Sequence, residues 1–257
     1  MTAPQSSRRA TLSTIIVAMN EAHDIQPCIE SVKGLASEVI VFDSGSTDGT
    51  PQLCRDLGAI VVETDWPGDG PQKNRALNMA KGDWVLSLDA DERVSPELYQ
   101  RISRLLDERS PHDAFSTPRS SFFCGRFMRH SGWWPDRIVR LFRRDKGHFT
   151  DVRTHTHVEV PGTTGKLSET IVHNAITDIT EAVDKANQYS SAGALTMFEQ
   201  GKRSSFGKAV FRGLWAFIRT YVIRRGFLDG KQGFMLAITN AEGTYYRYLK
   251  LWMMQGK

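Results

Sequence analysis

The feature that most constrains the fold is a regular alternation of strand-like and helix-like segments over the first 110 residues. Four short segments are nearly all apolar and rich in β-branched residues, as strands buried on both faces of a sheet are. They cover residues 12–19, 38–42, 59–63 and 84–88. Helix-start signals such as Thr50-Pro51 and Ser95-Pro96 follow three of them. This order predicts an α/β fold with a mostly parallel sheet flanked by helices.

Polar side chains follow three of the predicted strands. Asn20 comes just after the first strand, Asp43 ends the second and Asp89 ends the fourth. Ligands of parallel sheets bind at the carboxyl ends of the strands. We therefore expect these three residues to line one crevice.

The pair Asp89 and Asp91 is the most informative piece of chemistry in the sequence. In an extended chain alternate side chains point the same way, so the two carboxylates are expected on one side. Such hard oxygen ligands suit Mg²⁺ or Mn²⁺, which take substrate phosphates as further ligands. A solvated acidic turn is the alternative. The position after an apolar strand, on the same edge as Asp43, favours a metal–diphosphate site with Asp89 and Asp91 as ligands.

Known phosphate-binding loops are absent from the sequence. It has no GKS or GKT, and no GxGxxG follows the first strand. Phosphates would then be held by the metal and by basic side chains, unless these are ordinary surface residues. The basic side chains that flank the acidic pair are Lys73, Arg75, Arg137, Arg140, Arg143 and Arg144.

Composition sets the broad class of the protein. The 257 residues are 40% hydrophobic and 24% charged, which is typical of a globular chain with a sizeable core. No apolar run reaches the roughly 18 residues that a membrane span needs, and the run 15–19 is too short for a signal-peptide core. The three cysteines lack paired spacing, which argues against a disulfide framework or a zinc site. We expect a cytoplasmic protein.

Charge is distributed unevenly along the chain. The segment 202–257 holds 11 Lys and Arg but only 2 Asp and Glu, although the whole chain has a net charge of only +4. Within it, 207–223 has helical periodicity, with a broad apolar arc and basic residues on the other side. This pattern is typical of a helix lying on an anionic membrane surface. The alternatives are packing on the catalytic body or on another subunit, including a homo-oligomer contact through 244–254.

Nucleic acid is the other polyanion that a basic tail could bind. Aromatic residues interleaved with Arg and Lys also occur in single-strand binders. The apolar arc of 207–223 is too broad for a phosphate-tracking face, however, and no nucleic-acid motif is present. We therefore predict no nucleic-acid partner.

Several segments together resemble a family of enzymes. They are VAMNE (17–21), VFDSGSTDGT (41–50), QKNRALNMAKGDWVLSLDADE (72–92), GWWPDRIVRLFRR (132–144) and RGFLDGKQGFMLAITNAEGTYYRYLKLW (225–252). They are similar to family 2 glycosyltransferases, and within these to bacterial lipopolysaccharide core β-1,4-glucosyltransferases. The resemblance implies a Rossmann-like GT-A fold, a UDP-sugar donor such as UDP-glucose, a divalent metal and inversion at the anomeric carbon.

The resemblance also implies roles for individual residues. Lys73 would lie near the base and diphosphate, Asp89 would face the ribose or sugar, and Asp91 would bind the metal. Other residues are implied to line the nucleotide pocket, with Asp43 contacting the uracil or ribose. They are Ala18, Asn20, Glu21 and Asp43.

The general base that accepts the proton of the attacking hydroxyl is predicted among residues after the metal strand. Asp136 is the first choice because it follows Trp133 and Trp134, which can stack on a sugar face; a helix or turn cap is the alternative. Glu159 and His155 are second choices, and a third metal ligand is sought among His155, His157 and His173. This chain has His155-Thr156 where many relatives have His-Glu. Any role that rests on the glutamate of those relatives is therefore not carried over to this chain.

These observations predict a catalytic domain at 10–200 and a basic helical extension at 201–257. The catalytic domain divides into a nucleotide-sugar half at 10–110 and an acceptor half at 111–200. We expect a metal-assisted inverting glycosyltransferase that acts on a glycolipid at the inner face of the inner membrane. The alternatives are transfer to a polyprenyl phosphate, and a non-catalytic nucleotide-sugar-binding protein associated with the membrane.

Overall fold

The computed structural model describes residues 8–151 and 156–255. Within them the chain forms two compact units. The first comprises 8–119 and 137–173, and the second comprises 120–136 and 174–255. Strands β6, β8 and β12, whose bounds are given below, have residues in both units.

The predicted parallel sheet is present in the first unit. Its strands are β1 (Leu12–Ala18), β2 (Glu38–Asp43), β3 (Ile60–Glu63) and β4 (Trp84–Asp89). They lie in the order β3-β2-β1-β4 and all pair in parallel. Each is within one or two residues of its predicted bounds, because long β-branched apolar runs leave few alternatives to a buried strand.

Four helices accompany these strands. They are α1 (Ile25–Ser31), α2 (Thr50–Asp56), α3 (Asp69–Met79) and α4 (Pro96–Asp107). The start of α4 is set by Ser95, whose Oγ accepts a hydrogen bond from the Leu98 N–H (3.2 Å) while Pro96 occupies the first turn. The α/β class predicted from the sequence is therefore confirmed.

The chain after β4 extends the same sheet. Its further strands are β5 (Glu92–Val94), β6 (Ala114–Phe123), β7 (Arg126–Phe127), β8 (Asp136–Arg143), β11 (Thr164–Lys166) and β12 (Ile171–Ile176). The full order is β3-β2-β1-β4-β8-β6-β12-β5, with β7 and β11 pairing to β6. β8 runs antiparallel to β4, and β12 runs antiparallel to β5. A separate two-stranded ribbon joins β9 (His148–Phe149) to β10 (Val158–Glu159).

Apolar side chains cover both faces of this sheet. Neighbouring residues of β1 enter different core clusters: Ile16 packs with Leu86 and Leu88, whereas Ile15 packs with Ile40 and Phe42. This division follows from the alternation of side chains along a strand. The two apolar layers leave the ends of the strands as the places where the sheet carries polar residues.

The second unit is mainly helical. It contains α5 (Ile179–Glu199), α6 (Phe206–Ile218), a π-helical turn (Arg219–Ile223), a 3₁₀ turn (Gly226–Asp229) and α7 (Gly230–Met254). α5 and α6 both pack on α7, so α5 groups with the C-terminal helices, whereas the predicted boundary at 200 places it in the catalytic domain. In the part of the chain that the structure describes, no helix combines the length and apolarity needed to cross a bilayer.

Candidate functional site

The carboxyl ends of the parallel strands lie level with one another. Ala18 of β1 is opposite Asp43 of β2, and Val17 is opposite Asp89 of β4. Asn20 follows two residues after the end of β1. The three predicted crevice residues therefore lie at the same edge of the sheet, as expected from strand order alone.

Hydrogen bonds tie the loops after β1 and β2 together. Asn20 has a left-handed backbone (φ 58°), its amide oxygen accepts from the Thr47 N–H (2.8 Å), and its own N–H donates to Ser46 Oγ (2.7 Å). Asp43 Oδ1 accepts from the N–H groups of Gly45 (3.0 Å) and Ser46 (2.8 Å), and the Ser46 hydroxyl donates to Oδ2. Asn20 and Asp43 thus fix the conformation of this edge.

Asp43 has no exposed surface in this structure (0%). Its carboxylate oxygens accept from the loop that follows β2. A contact of Asp43 with the uracil or ribose remains a prediction. Ala18 is also buried, and its carbonyl accepts from the Ser44 N–H (2.9 Å). Glu21 is half-buried and donates its N–H to Thr50 Oγ1 (2.9 Å). A nucleotide contact by Ala18 or Glu21 remains a prediction.

Two basic side chains converge on Asp89. Lys73 of α3 donates from Nζ to Asp89 Oδ1 (2.9 Å) and also lies 3.2 Å from Asp69 Oδ1. Arg140 of β8 donates from Nη2 to Asp89 Oδ2 and to Glu92 Oε1 (2.7 Å). Both carboxylate oxygens of Asp89 therefore accept from cations. Lys73 and Arg140 were both predicted to lie near the diphosphate, and the structure brings them to one carboxylate.

The electrostatics of this cluster favour the charged forms of Asp89 and Arg140. Burial alone would raise the pKa of the Asp89 carboxyl, but the nearby Arg140 and Lys73 charges outweigh it and hold the pKa well below its usual value. Burial would likewise lower the pKa of Arg140, whereas Asp89 and Glu92 raise it. Asp89 and Arg140 are therefore both charged at neutral pH, and their ion pair is in place before a substrate binds.

Glu92 is a central residue that the sequence interpretation missed. It is fully buried and accepts from Arg140 Nη2 (2.7 Å), from Arg119 Nη1 (3.3 Å) and, through Oε2, from the Asp89 N–H (3.0 Å). The one signal in the sequence is a third acidic residue directly after the Asp89–Asp91 pair. Its partners come from β6 and β8, which are distant in sequence.

Asp91 has different surroundings from Asp89. The chain turns at Ala90 and Asp91 instead of continuing extended, so the extended backbone from which a shared direction of the two carboxylates was predicted is not present. Pairing of β5 with β12 places His173 opposite Glu92, and Asp91 Oδ2 lies 3.3 Å from His173 Nε2. Of the three histidines considered as ligands, His173 is the one that the structure brings to Asp91 among the described residues.

The donor set of Asp91 and His173 fits a divalent cation. A carboxylate oxygen and an imidazole nitrogen lie at ligand-to-ligand spacing, and both side chains are partly exposed (25% and 15%). Within 8–151 and 156–255 no group of three or more His, Cys, Asp or Glu could hold a metal. Two protein ligands suffice for Mg²⁺ or Mn²⁺, which complete their shells with water and phosphate oxygens. Asp89 fits less well because cations already occupy both its oxygens.

The predicted general bases belong to other segments than the acidic pair at the end of β4. Asp136 is half-buried and is the first residue of β8. Glu159 lies on β10, where its Oε1 is 3.8 Å from His157 Nε2, and both side chains are well exposed. His155 lies outside the described residues. The roles of all three in catalysis remain predictions.

The other basic residues near the acidic pair have partners of their own. Arg75 pairs with Asp65 (2.7 Å). Arg137 donates to the Leu167 carbonyl (2.9 Å), and Arg144 donates to a main-chain carbonyl in the turn before β4. These contacts are those of ordinary surface residues, so Lys73 and Arg140 are better candidates for the donor site.

In the second unit, α6 packs through its small residues. Ala209, Gly213 and Ala216 are buried, and a Cβ added at Gly213 would lie 3.0 Å from Tyr245 Cβ of α7. The large apolar side chains of the helix are exposed instead. They are Phe206, Val210, Phe211, Leu214, Trp215 and Ile218. Two aromatic side chains of α6 also contact α7: the rings of Phe206 and Trp252 lie 6.1 Å apart, and those of Phe217 and Phe234 lie 5.8 Å apart. Much of the apolar arc nevertheless remains exposed.

The chain was compared with known proteins. The model of the family described as "Glycosyl transferase family 2" matches residues 13–161. An uncharacterized glycosyltransferase of Rickettsia prowazekii is 32% identical over 251 residues, which cover 93% of this chain and 86% of the relative. A lipopolysaccharide core biosynthesis glycosyltransferase of Rhizobium meliloti, LpsC, is 29% identical over 248 residues, covering 94% and 92%.

Among solved structures, a similar one is glucosyl-3-phosphoglycerate synthase of Mycobacterium tuberculosis. It was crystallised with Mn²⁺, UDP and glucosyl-3-phosphoglycerate. The match has 31% identity and a TM-score of 0.36, and it covers 44% of this chain and 44% of that structure. This chain therefore matches less than half the length of that protein.

Proposed function

The chain belongs to glycosyl transferase family 2, and we propose that it transfers a sugar, glucose, from a UDP-sugar to a lipopolysaccharide inner-core acceptor or a related membrane glycolipid. The observation that carries the proposal is the arrangement at the carboxyl edge of the sheet, where Asp91 faces His173 beside an Asp89 held by two cations. The similarity to LpsC over nearly the whole chain supports the acceptor class.

The residues of this edge divide the task of holding the donor. Asp91 and His173 would bind Mg²⁺ or Mn²⁺, which when bound neutralises negative charge on the departing diphosphate. Lys73 and Arg140 fix the carboxylate of Asp89, which keeps 36% of its side chain exposed. We propose that this exposed part accepts a hydrogen bond from a donor hydroxyl, on the ribose or the sugar.

The reaction would be a single displacement. The acceptor oxygen forms a bond to the anomeric carbon as the bond to the diphosphate oxygen breaks, and the hydroxyl proton passes to a base. One displacement inverts the centre, so an α-linked donor gives a β-linked product. We propose Asp136 as the base, with Glu159 as the second choice; general-base catalysis contributes roughly 10²–10⁴-fold.

The direct test measures UDP-glucose turnover with Mg²⁺, Mn²⁺ or EDTA. We expect EDTA to abolish turnover and Asp91→Asn to lower it by about 10³-fold, because charge stabilisation at a leaving group is worth this much. Asp145→Asn is the matched control, since Asp145 is an exposed acidic residue outside the site. Full metal-dependent turnover by Asp91→Asn would exclude this site.

The assignment of His173 has its own test. His173→Ala should weaken Mn²⁺ binding by about 10–100-fold, measured by titration of the protein with Mn²⁺ and observed by electron paramagnetic resonance. His130→Ala is the matched control, because His130 also lies beside an aspartate, Asp229 (3.2 Å), but in the second unit. Unchanged Mn²⁺ affinity in His173→Ala would restrict the protein ligands to the carboxylates.

We also propose that the exposed apolar side chains of α6 contact an anionic membrane surface. The basic residues Lys208 and Arg212 lie over the Tyr248 ring of α7 (5.7 and 5.5 Å), which separates them from Phe211 and Leu214. Apolar and basic groups on distinct sides are what interfacial helices present to anionic lipid. Docking there would bring a cytoplasmic enzyme to a glycolipid at the inner face of the inner membrane.

Vesicle sedimentation tests the membrane proposal. Binding should require anionic lipid, weaken with salt, and fall at least tenfold in the double variant Phe211→Ser and Leu214→Ser. Ile60→Ser, at an exposed apolar residue of β3, is the control. A dimer in analytical ultracentrifugation that the double variant disrupts, with no vesicle binding, would instead assign this face to a homo-oligomer.

Two other functions are distinguished by the same assays. A non-catalytic nucleotide-sugar-binding protein would be stabilised thermally by UDP-glucose and metal but would release no UDP. A transferase acting on polyprenyl phosphate would turn over donor with that lipid and not with lipopolysaccharide core. The similarity to LpsC favours the core acceptor.

A further inference from the structure

The second unit contains a cavity that the proposed transfer chemistry does not use. Its volume is about 430 Å³, within the roughly 300–1,000 Å³ range of ligand pockets. It is lined by residues of α5, α6, the π-helical turn and α7, and by the loop residues Ser131, Gly132 and Trp133. Exposed Arg219, Arg224 and Tyr189 lie on its walls, so solvent reaches it.

Three arginines on the walls of this cavity have no carboxylate partner among the described residues. The basic residues that line it are Lys185, Arg219, Arg224 and Arg247, and no lining residue is acidic. Lys185 pairs with Glu181 (2.7 Å). In the described part of the chain, none of the three arginines lies within 4.0 Å of a carboxylate. Cations that line one cavity repel one another, and an anion bound there would reduce that repulsion.

Two of the arginine side chains pack against glycines, where a larger residue would displace them. Gly132 has φ +83°, and a Cβ added there would lie 2.2 Å from Arg224 Nη1. A Cβ at Gly193 would lie 2.8 Å from Arg247 Nε. That Nε atom is buried and has no hydrogen-bond partner among the described residues. Arg219 opens a π-helical turn, a local geometry that is frequent at functional sites.

Other lining residues have chemistry that a sugar can contact. Thr220, Thr239 and Asn240 carry hydroxyl and amide groups, of which Asn240 donates to Thr220 Oγ1 (3.4 Å) and Thr239 donates to the Met235 carbonyl (3.1 Å). Tyr189 is an exposed aromatic residue of the lining, and Trp133 is a half-buried one. A single carboxylate is satisfied by one bidentate arginine, whereas a phosphate monoester carries up to two charges and three exposed oxygens. Three arginines without acidic partners therefore match a phosphate better than a carboxylate.

We propose that this cavity binds a phosphorylated sugar, as the part of the acceptor that carries a phosphate monoester. That the bound sugar is part of the acceptor rests on the proposed transferase function. That the ligand carries a phosphate rests on the cavity alone. Arg219, Arg224 and Arg247 would hold the phosphate, and the aromatic side chains would contact the sugar ring.

Isothermal titration calorimetry at low salt tests the proposal, with glucose 6-phosphate as the probe. Glucose and glucuronate serve as the neutral and carboxylate comparisons. We expect glucose 6-phosphate to bind at least tenfold more tightly than either, and Arg219→Gln and Arg247→Gln each to weaken it about tenfold. Lys202→Gln removes a positive charge from an exposed residue outside the cavity and should change affinity less than twofold.

Each possible result separates the alternatives. Thermal unfolding checks that Arg247→Gln still folds, and exposed Arg219 provides a variant that packing does not confound. Equal binding of glucuronate, or equal binding by the arginine variants, overturns the proposal.

The proposal is also overturned if the protein binds vesicles that contain phosphatidate through these arginines but does not bind glucose 6-phosphate. The ligand is then a lipid headgroup. UDP-glucose turnover without glucose 6-phosphate binding overturns the cavity assignment and leaves the proposed function standing; arginine-dependent binding without turnover supports the ligand chemistry and rejects the function.

Discussion

Charged side chains are arranged in opposite ways at the strand edge of the first unit and in the cavity of the second. At the edge, Arg140 contacts both Asp89 and Glu92, and Lys73 contacts Asp89 and Asp69. In the cavity, three arginines line the walls, and none of them has a carboxylate within 4.0 Å among the described residues. The cations at the edge are paired with carboxylates of the same chain, whereas the arginines of the cavity have positive charge available for a bound anion.

This difference separates two uses of charge. Paired charges in a partly buried site fix side-chain positions before the substrate arrives, which is the preorganisation that catalysis needs. Unpaired charges contribute little to folding and give affinity for a ligand of opposite sign. Removing a cation should therefore cost stability at the edge and cost binding in the cavity.

The largest stability effect is expected for Arg140→Gln. Its removal leaves the buried Glu92 and the neighbouring Asp89 with less compensation, and breaking a buried pair costs about 3–5 kcal/mol. Because Asp89 is about a third exposed and Arg119 remains near Glu92, we expect the lower end, about 3 kcal/mol. Urea denaturation measures the loss, and Arg104→Gln, an exposed arginine on α4, is the control.

A double variant sharpens this prediction. Arg140→Gln with Glu92→Gln removes both charges of the buried pair and should recover part of the lost stability. If the double variant lost as much stability as the two single variants together, Arg140 and Glu92 would not stabilise one another.

A moderate effect is expected for Asp83→Ala, where a carboxylate is paired with main chain. Asp83 Oδ2 accepts from Thr11 N–H (2.8 Å) and Thr11 Oγ1 (2.9 Å), and the main-chain bond is the main reason that its pKa lies below the usual value. We expect a loss of at most about 1 kcal/mol, since half of the side chain is exposed. Asp145→Ala is the control at an exposed acidic residue.

The pH dependence of that difference has a definite sign. A lowered folded-state pKa means that the stabilisation is fully present above the unfolded value of about 3.9 and is lost as the pH falls through the folded value. Urea melts of the wild type and Asp83→Ala should therefore differ at pH 6 and converge in strong acid. A difference that grows below pH 4 would contradict the ionised-acceptor interpretation.

The smallest stability effect is expected for Arg219→Gln. Arg219 is exposed and has no carboxylate within 4.0 Å in the described part of the chain, so stability should change by less than about 0.5 kcal/mol. The sign at low salt should be a slight gain, because a like charge is removed from the cavity. A loss above about 1 kcal/mol in urea denaturation would show that Arg219 is paired in solution and would break the contrast with Arg140.

Local patterns were enough to predict the first four strands and the helices between them, but not strands β5 to β12 or helix α5. Apolar β-branched runs identified β1 to β4, and Ser95-Pro96 identified the start of α4, because short-range preferences and burial agree there. The family resemblance is confirmed by the family model and by relatives that cover most of the chain. The helix at 207–223 was also predicted, but its packing through Ala209, Gly213 and Ala216 was not.

The sequence by itself determined the parallel sheet and the carboxylates at its edge, because period, strand order and chain direction are local properties. Only the tertiary structure decided which partners these carboxylates have. Glu92 contacts arginines of β6 and β8, and Asp91 contacts His173 of β12. These contacts depend on strand pairing between residues 27 to 82 positions apart in the chain, and a local sequence pattern does not specify that pairing.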